Sequence, residues 1–429
     1  MKTVSVIGLG YIGLPTAAMF ASHGLRVLGV DTNEDICMII NEGKIHIEEP
    51  YLADMIKSQV AKKMISCSVE VKPADAFIIA VPTPITSQKT IDLSYVIRAA
   101  ESVASVLRPG NLVVLESTVS PRCTEDVLRP ILEETGLKAG EDFFLAHCPE
   151  RVLPGQIIFE LKHNNRVIGG VNFESAARAK ELYSVFVEGE MFLTDTITAE
   201  LCKLMENTYR DVNIALANEL AKICERLGTN AWDVIKFANK HPRVNIHSPG
   251  PGVGGHCLAV DPWFVVEAAP DLASLIELSR ITNDSMPWYV SQKVRALVAP
   301  NSKIVILGCT YKPDVDDMRE SPILHLVSLL ENDYDIRIVD PHVREYDVNV
   351  YQEVEGADLL LLGVHHAAFQ GLNLHRIRET MRNPLVLDTR NYFSDLDLGK
   401  IGFEYHLLGV SDNPHRDAVQ DKEVATAHE

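Results

Sequence analysis

The sequence contains no run of apolar residues long enough to cross a bilayer, which argues against a membrane-spanning chain. Its eight cysteines are scattered and none forms a Cys-x-x-Cys pair, so we expect neither a disulfide framework nor a bound metal. Basic residues are in deficit, and the formal net charge of −19 argues against nucleic acid as a general partner. The start of the chain enters an apolar strand directly and does not resemble a targeting leader. We therefore expect a cytoplasmic protein with reduced thiols.

A chain of 429 residues exceeds what one hydrophobic core usually supports, so we expect two or three domains. The hydrophobic fraction of 46% and the charged fraction of 23% are ordinary for a globular protein. The succession of strand and helix signals predicts an α/β fold. It consists of two Rossmann-like, doubly wound domains joined by a central helical domain with one long helix.

A glycine turn follows the first strand signal, residues 3–8. The turn contains Gly8, Gly10, Tyr11, Ile12 and Gly13. A helical segment and a second strand follow, and this strand ends at Asp31, eighteen residues after Gly13. Strand, Gly-x-Gly-x-x-Gly, helix, strand and acid in this order are typical of a dinucleotide-binding fold. The glycines admit a pyrophosphate, and an acid at Asp31 favours NAD over NADP because it repels a 2′-phosphate.

Polar residues also follow three later strands of this domain. Thr83 and Thr118 come after two of them, and Glu150 and Arg151 lie within the segment 148–155 that follows the third. Ligands of doubly wound sheets bind at the carboxyl ends of the strands, so both threonines are expected to face the dinucleotide. A helix N-cap is the alternative for each threonine, and it does not exclude contact with a ligand.

A long helix is predicted over about residues 198–227, which contain no Pro or Gly. Lys203, Asn207 and Arg210 are spaced i, i+4, i+7 and share one face of this helix. A solvated polar face is one interpretation. The other is that the polar stripe lines a cleft while the apolar side packs on a second subunit, giving a homodimer.

A glycine-rich loop, residues 250–262, places Cys257 four residues before Asp261. Glycine allows backbone to approach a ligand closely, so the thiol is a candidate nucleophile. A turn followed by a small buried cysteine is the alternative. His241 and Arg243 precede the loop, and Arg243 is the stronger candidate for a functional residue. A further helix is predicted over about residues 273–297.

The last third of the chain repeats the opening pattern at residues 303–308, but without the three-glycine turn. It predicts a second mononucleotide-type domain, in which Lys312 and Arg319 are candidate phosphate-binding cations. Ser321 and Pro322 are a helix start signal. The expected domains are the dinucleotide-binding domain 1–190, the helical dimerisation domain 191–298 with the cysteine loop, the second Rossmann-like domain 299–410 and a flexible tail 411–429.

Taken in order, these motifs resemble those of the nucleotide-sugar 6-dehydrogenases, the UDP-glucose/GDP-mannose dehydrogenase family. The resemblance covers nearly the whole chain and rests on residues 8–15, 81–84, 116–118, 148–150, Lys203 with Asn207, 252–257 with Asp261, and 311–322. Segments 149–155, 241–246 and 250–264 are most similar to the branch that acts on UDP-N-acetyl-D-mannosamine. The glucose branch has a further acid and a lysine where this sequence has Pro154 and Val260.

Other functions stay open at this point. Within the family, UDP-N-acetylglucosamine or UDP-glucose is the alternative substrate. More remote alternatives are a two-electron hydroxyacid dehydrogenase and a non-catalytic nucleotide-sugar sensor. The cysteine loop and the second nucleotide-type domain count against the first, and the intact Lys203, Asn207, Cys257 and Asp261 set counts against the second.

The resemblance implies oxidation of the sugar C6 alcohol to an acid with two NAD⁺. Cys257 would capture the aldehyde as a thiohemiacetal and then a thioester, with its thiol pKa lowered by Lys203 and the loop amides. Lys203, or a water held by Asn207 and Asp261, would act as the first base, and Glu150 with Thr118 would activate the hydrolytic water.

The implied binding residues form two sets. The resemblance assigns the NAD site to Gly8, Gly10, Tyr11, Ile12, Gly13, Asp31, Thr83, Thr118 and Arg319. It assigns the UDP-sugar site to Arg151, Val152, Lys203, Asn207, Arg210, His241, Arg243, Gly254, Tyr311 and Lys312. Arg243 is a candidate contribution from a neighbouring subunit.

Overall fold

The computed structural model describes residues 1–86 and 89–411, so nearly all of the expected tail, 411–429, lies outside the described residues. The chain divides into two compact units. The first contains Met1–Glu206 and Trp263–Pro270, and the second contains Asn207–Pro262 and the chain from Asp271 onward. Among the described residues, no helix has both the length and the apolar character needed to span a bilayer.

Eight strands form the sheet of the first unit. They are β1 (Thr3–Ile7), β2 (Arg26–Val30), β3 (Ile65–Ser68), β4 (Ala76–Ile79), β5 (Leu112–Leu115), β6 (Phe144–His147), β7 (Arg166–Gly170) and β8 (Met191–Asp195). Their order is β3-β2-β1-β4-β5-β6-β7-β8, and only β6 and β7 pair antiparallel. The last residues of β1, β2 and β4 are in register, so the loops that follow these strands leave from one edge of the sheet.

Helices cover both faces of this sheet. They are α1 (Gly13–Ser22), α2 (Glu34–Asn41), α3 (Leu52–Ala61), α4 (Ser94–Ala104), α5 (Arg129–Glu133), which a π-helical turn (Thr124–Leu128) precedes, α6 (Ile157–His163) and α7 (Phe173–Tyr183). Successive strand residues point to opposite faces. Val4 and Val6 therefore belong to one buried cluster, and Ile7 to another on the other face. Two covered faces explain why the strands read as continuous apolar runs.

Helices α8 (Thr196–Leu227), α9 (Ala231–Ala238) and α10 (Asp261–Ala268) follow in the chain, and the division between the units falls inside α8. The helix predicted over about residues 273–297 is in fact two, α11 (Ser274–Asp284) and α12 (Met286–Leu297). Pro287 lies in the first turn of α12. Because proline has no amide hydrogen to donate to residue 283, the α-helical ladder stops there.

The second unit contains a five-stranded, fully parallel sheet. Its strands are β9 (Lys303–Leu307), β10 (Asp335–Val339), β11 (Leu359–Leu362), β12 (Leu385–Asp388) and β13 (Glu404–Leu407), in the order β10-β9-β11-β12-β13. The helices are α13 (Pro322–Leu330), α14 (Val350–Glu353), α15 (Leu374–Thr380) and α16 (Leu398–Ile401), with a 3-10 turn (Ala367–Gly371). As predicted, Ser321 caps α13: its hydroxyl accepts the amides of Ile323 and Leu324. The expected α/β class with two Rossmann-like sheets and a long central helix is confirmed.

Candidate active site

The glycine turn of the first unit leaves room for a ligand. Gly8 has a φ of +90°, and a Cβ atom on Gly13 would lie 1.8 Å from the carbonyl oxygen of Gly8. Both positions therefore require glycine. A Cβ atom on Gly10 would meet no protein atom within 4 Å, so the space beside it is open. Asp31 accepts the amides of Leu9 and Asn33 at 3.0 and 2.9 Å, which ties the acid to the turn. The cradle and the acid fit a dinucleotide.

The two threonines lie together at the same edge of the sheet. Thr83 donates its hydroxyl to the carbonyl oxygen of Thr118 at 2.7 Å, and both residues are half-buried. The N-cap alternative does not hold for either residue within the described chain, because the next helical segments begin at Ser94 and Thr124. The hydrogen bond joins the loops that follow β4 and β5.

Glu150 is buried and held on both carboxylate oxygens. One oxygen accepts the backbone amide of Arg151 at 2.8 Å, and the other lies 2.8 Å from the guanidinium of Arg166. Arg166, the first residue of β7, is not among the residues predicted from the sequence. Its position at the start of an apolar strand gave no functional signal.

Arg151 already has protein partners. Its guanidinium contacts Glu206 at 2.5 Å and the carbonyl oxygen of Asn165. Val152, the next residue, packs against the first-unit core. Glu49 accepts the amides of Gly155 and Ile157, which fixes the far end of the loop. The loop that carries two expected substrate contacts is therefore anchored by acids from elsewhere in the unit.

The polar stripe of α8 is only partly solvated. Lys203 is half-buried in the first unit, whereas Asn207 is buried in the second. The amide of Asn207 donates to Asp261 at 2.5 Å, and Arg210 donates to the amide oxygen of Asn207. The purely solvent-facing interpretation of this stripe is therefore wrong for Asn207.

Cys257 lies in a turn that also fixes the backbone position of Asp261. The amides of Val260 and Asp261 donate to the carbonyl oxygen of Cys257 at 3.1 and 2.8 Å. Cys257 is half-buried, while Cys37, Cys123, Cys148, Cys224 and Cys309 are buried. The alternative of a small buried cysteine therefore does not describe this residue.

The cysteine loop needs its glycines because it packs against residues 311–320 of the same unit. A Cβ atom on Gly255 would lie 2.8 Å from the Tyr311 ring, and one on Gly254 would lie 2.4 Å from the carbonyl oxygen of Glu320. The amide of Gly255 donates to the carbonyl oxygen of Arg319 at 3.1 Å. Burial raises the pKa of Tyr311, and the neighbouring Asp317 and Cys257 add to the rise.

The remaining expected binding residues lie outside the cysteine loop, in the segments 311–320 and 241–243. Lys312 places its ammonium 5.6 Å from the centre of the Tyr311 ring, and Arg319 pairs with Asp317 at 2.6 Å. His241 and Arg243 are exposed after α9, where the amide of Arg243 donates to the His241 ring at 3.3 Å.

Arg390 is a further cation near the cysteine loop that was not predicted from the sequence. It follows β12, and its guanidinium adjoins the cysteine loop: a Cβ atom on Gly250 would lie 2.4 Å from Nη1. Its Nε donates to the carbonyl oxygen of Gly363 at 3.2 Å. Burial lowers its pKa to about 10, so the group stays cationic at neutral pH. A cation at the carboxyl end of a parallel strand is well placed for a phosphate.

Asp314, His342 and His366 form a cluster of residue types that can bind metal ions, but the His366 ring has hydrogen-bond partners within the protein. Ligand atoms of Asp314, His342 and His366 lie within 4.8 Å of one another. His366 accepts the amide of Asp314 on Nδ1 at 2.9 Å, and its Nε2 lies 3.0 Å from Asp340. Nδ1 as acceptor fixes Nε2–H as the donor, so both ring nitrogens are occupied by the fold.

Comparison with known proteins finds matches along nearly the whole chain. Residues 2–187 match the NAD binding domain of the UDP-glucose/GDP-mannose dehydrogenase family, residues 197–285 its central domain and residues 305–395 its UDP binding domain. The sequence is 46% identical to a UDP-N-acetyl-D-mannosamine dehydrogenase of Methanococcus maripaludis, over 95% of this chain and 97% of that protein. It is 44% identical to an NDP-N-acetyl-D-galactosaminuronic acid dehydrogenase of Ralstonia nicotianae, over 92% and 96%.

A solved structure is similar as well. The UDP-D-ManNAc dehydrogenase of Pyrococcus horikoshii superposes with a TM-score of 0.89 at 41% identity, covering 96% of this chain and 100% of that one. The expectations of an oxidoreductase and of NAD as cofactor are confirmed. The motif resemblance is confirmed too: the chain belongs to the UDP-glucose/GDP-mannose dehydrogenase family.

Proposed function

We propose that this enzyme oxidises the C6 hydroxymethyl group of UDP-N-acetyl-D-mannosamine to a carboxylate, giving UDP-N-acetyl-D-mannosaminuronate. Relatives named UDP-N-acetyl-D-mannosamine dehydrogenase align with nearly the whole chain. The observation that carries the proposal is the pairing of buried Asn207 with Asp261, on the turn that presents half-buried Cys257. This arrangement combines a polar pair suited to hold water with a nucleophile.

The first oxidation converts the alcohol to an aldehyde. The C6 hydroxyl loses a proton to Lys203 or to a water held by Asn207 and Asp261, and C6 loses a hydride. NAD⁺, which the glycine turn with Gly8 and Gly13 would hold, would supply the hydride acceptor, with one NAD⁺ for each of the two oxidations. The ammonium of Lys203 also stabilises negative charge that develops on the oxygen.

The second oxidation proceeds through sulfur. The Cys257 thiolate attacks the aldehyde carbon and forms a C–S bond, which keeps the aldehyde from escaping between the two oxidations. The thiohemiacetal loses its hydroxyl proton to the same base, Lys203 or the water held by Asn207 and Asp261, and C6 loses a second hydride, which gives a thioester. Glu150, assisted by Thr118, removes a proton from water, the water oxygen attacks the thioester carbonyl, and the C–S bond breaks to release the acid and the thiolate.

The proposed UDP-sugar contacts are those that the family resemblance implies. Arg151, Val152, Lys203, Asn207, Arg210, His241, Arg243, Gly254, Tyr311 and Lys312 form the proposed set, to which the cation of Arg390 adds a phosphate contact. Arg319 is assigned to the NAD. Because Arg151 pairs with Glu206, substrate must compete with that acid for the guanidinium.

We also propose that the enzyme is a homodimer. Tyr209, Leu216 and Ile223 of α8 are exposed by 58%, 53% and 44%, and their seven-residue spacing forms one apolar stripe. Apolar stripes on helices are usually covered by a partner. A reducing compartment such as the cytoplasm would keep the Cys257 thiol in its reduced form.

The test is NADH formation with UDP-N-acetyl-D-mannosamine, UDP-N-acetyl-D-glucosamine, UDP-N-acetyl-D-galactosamine and UDP-glucose. We expect the highest kcat/KM with the manno sugar. A preference for the galacto sugar would favour the function named for the Ralstonia relative. No NADH with any of these sugars would overturn the proposed function.

A further inference from the structure

Glu150 belongs to a buried cluster of two acids and one guanidinium within the first unit. Arg166 is 3% exposed, and Glu116, the residue after β5, is 2% exposed. Arg166 lies 2.8 Å from Glu150 through one nitrogen and 4.0 Å from Glu116 through another. One buried guanidinium therefore lies within ion-pair distance of two buried carboxyl groups.

The Glu116 carboxyl is fixed by two hydroxyls. Tyr183 donates to one oxygen at 2.6 Å, and Thr16 donates to the other at 3.4 Å. The guanidinium of Arg166 lies on the Tyr183 ring, 4.7 Å from its centre. These contacts come from α1, α7 and β7, so the carboxyl has little freedom to move.

The other titratable groups around the cluster are neutral at physiological pH. Burial raises the pKa of Cys148 to about 12 and that of Tyr183 well above its ordinary value. Burial lowers the pKa of His147, at the end of β6, to about 3. The net charge of the cluster is therefore decided by Arg166, Glu116 and Glu150 alone.

Two ionised carboxylates beside one guanidinium would bury a net negative charge, which is costly. One proton removes this cost. Burial raises the pKa of Glu116 to about 7; Arg166 opposes the rise and Glu150 adds to it. Since Arg166 is closer to Glu150 than to Glu116, the proton resides on Glu116.

We propose that Arg166 and Glu116 are positioning residues for the acid-forming step. Arg166 holds the Glu150 carboxylate. When Glu150 accepts a proton from water, the Glu116 carboxylate balances the positive charge of Arg166 in its place. The inference rests on the proposed role of Glu150. A proton on both acids would leave Arg166 as an unpaired buried cation. Proton transfer to Glu150 is therefore favoured when Glu116 is ionised.

The kinetic test is the pH dependence of acid formed in quenched single turnovers. For the wild type we expect the rate to rise about tenfold between about pH 6 and about pH 8, as a single carboxyl near neutrality ionises. Glu116→Gln, which mimics the protonated acid, keeps the low-pH rate throughout and leaves the first hydride transfer unchanged. Glu101→Gln, at an exposed acid of α4, follows the wild type. A Glu116→Gln profile that rises like the wild type overturns the inference.

A titration without substrate separates this inference from the proposed function. Infrared difference spectra of the wild type should show a protonated carboxyl band that disappears near pH 7, and Glu116→Gln should lack it. The absence of such a band in the folded wild type also overturns the inference, even if the variant fails to fold. If no UDP-sugar is oxidised but the band is present, the proposed function is wrong, whereas the assignment of a buried proton to Glu116 is supported.

Discussion

Asn207 donates its side-chain amide to the carboxylate of Asp261, 54 residues later in the chain, and both side chains are buried. The same Asp261 donates its backbone amide to Cys257. This hydrogen-bonded pair joins the long helix to the cysteine loop, as does the amide of Gly250, which donates to the Asn218 side chain of the same helix at 2.8 Å. A helix motif and a loop motif that are separate in the sequence form one arrangement in the fold.

Replacing Asp261 tests this pair. Asp261→Asn keeps the size of the side chain but removes the charge that holds Asn207, so we expect kcat to fall roughly 10²–10³-fold while the KM for NAD⁺ changes little. Steady-state kinetics measure this, with Asp271→Asn at an exposed acid as the control. A wild-type kcat in Asp261→Asn would remove the pair from the mechanism.

Replacing Asp31 tests the cofactor site. Its carboxylate accepts the amides of Leu9 and Asn33, and its remaining lone pairs are available to ribose hydroxyls. We expect Asp31→Asn to raise the KM for NAD⁺ roughly tenfold and to improve the use of NADP⁺ relative to NAD⁺. Asp35→Asn, on the exposed first turn of α2, is the matched control. Unchanged discrimination between the two cofactors would contradict the assignment.

Glu116 should make stability depend on pH. Its pKa is raised from 4.5 to about 7 by burial, so between these values the folded state binds more protons than the unfolded state. The contribution of the Glu116 proton to the free energy of unfolding is therefore fully present below pH 4.5 and is lost as pH rises through about 7. This contribution is at most on the order of 3 kcal/mol. We expect the urea midpoint of Glu116→Gln to fall less over this range than that of the wild type or Glu101→Gln. Parallel curves would contradict the buried-proton assignment.

The dimer proposal is tested by a charge on the exposed stripe of α8. Leu216→Asp would bury an unpaired carboxylate in the proposed interface, so the variant should sediment as a monomer where the wild type is a dimer. Leu396→Asp places the same charge on a similarly exposed leucine, 50% against 53%, and should leave the mass unchanged. A wild type that sediments as a monomer would refute the proposal.

Local signals in the sequence were sufficient for much of the fold. Gly8 and Gly13 identified the turn because their backbone geometry excludes side chains, and Ser321 with Pro322 identified the start of α13. The break between α11 and α12 was missed although Pro287 is its cause, because apolar residues continue on both sides.

The buried charges were not predictable in the same way. Glu116 and Arg166 are 50 residues apart, and each follows or begins an apolar strand with no periodic pattern around it. Only the order of strands in the sheet brings them together with Glu150. The pairing of Arg151 with Glu206 depends likewise on where α8 passes the loop after β6.

The central claim is that Cys257 covalently holds the half-oxidised sugar between two hydride transfers. The most direct measurement is the number of NADH molecules formed per UDP-sugar consumed, by the wild type and by Cys257→Ser. We predict two for the wild type, and no acid from Cys257→Ser, which should still bind NAD⁺ and the UDP-sugar. A wild-type ratio of one, or normal acid production by Cys257→Ser, would contradict the account.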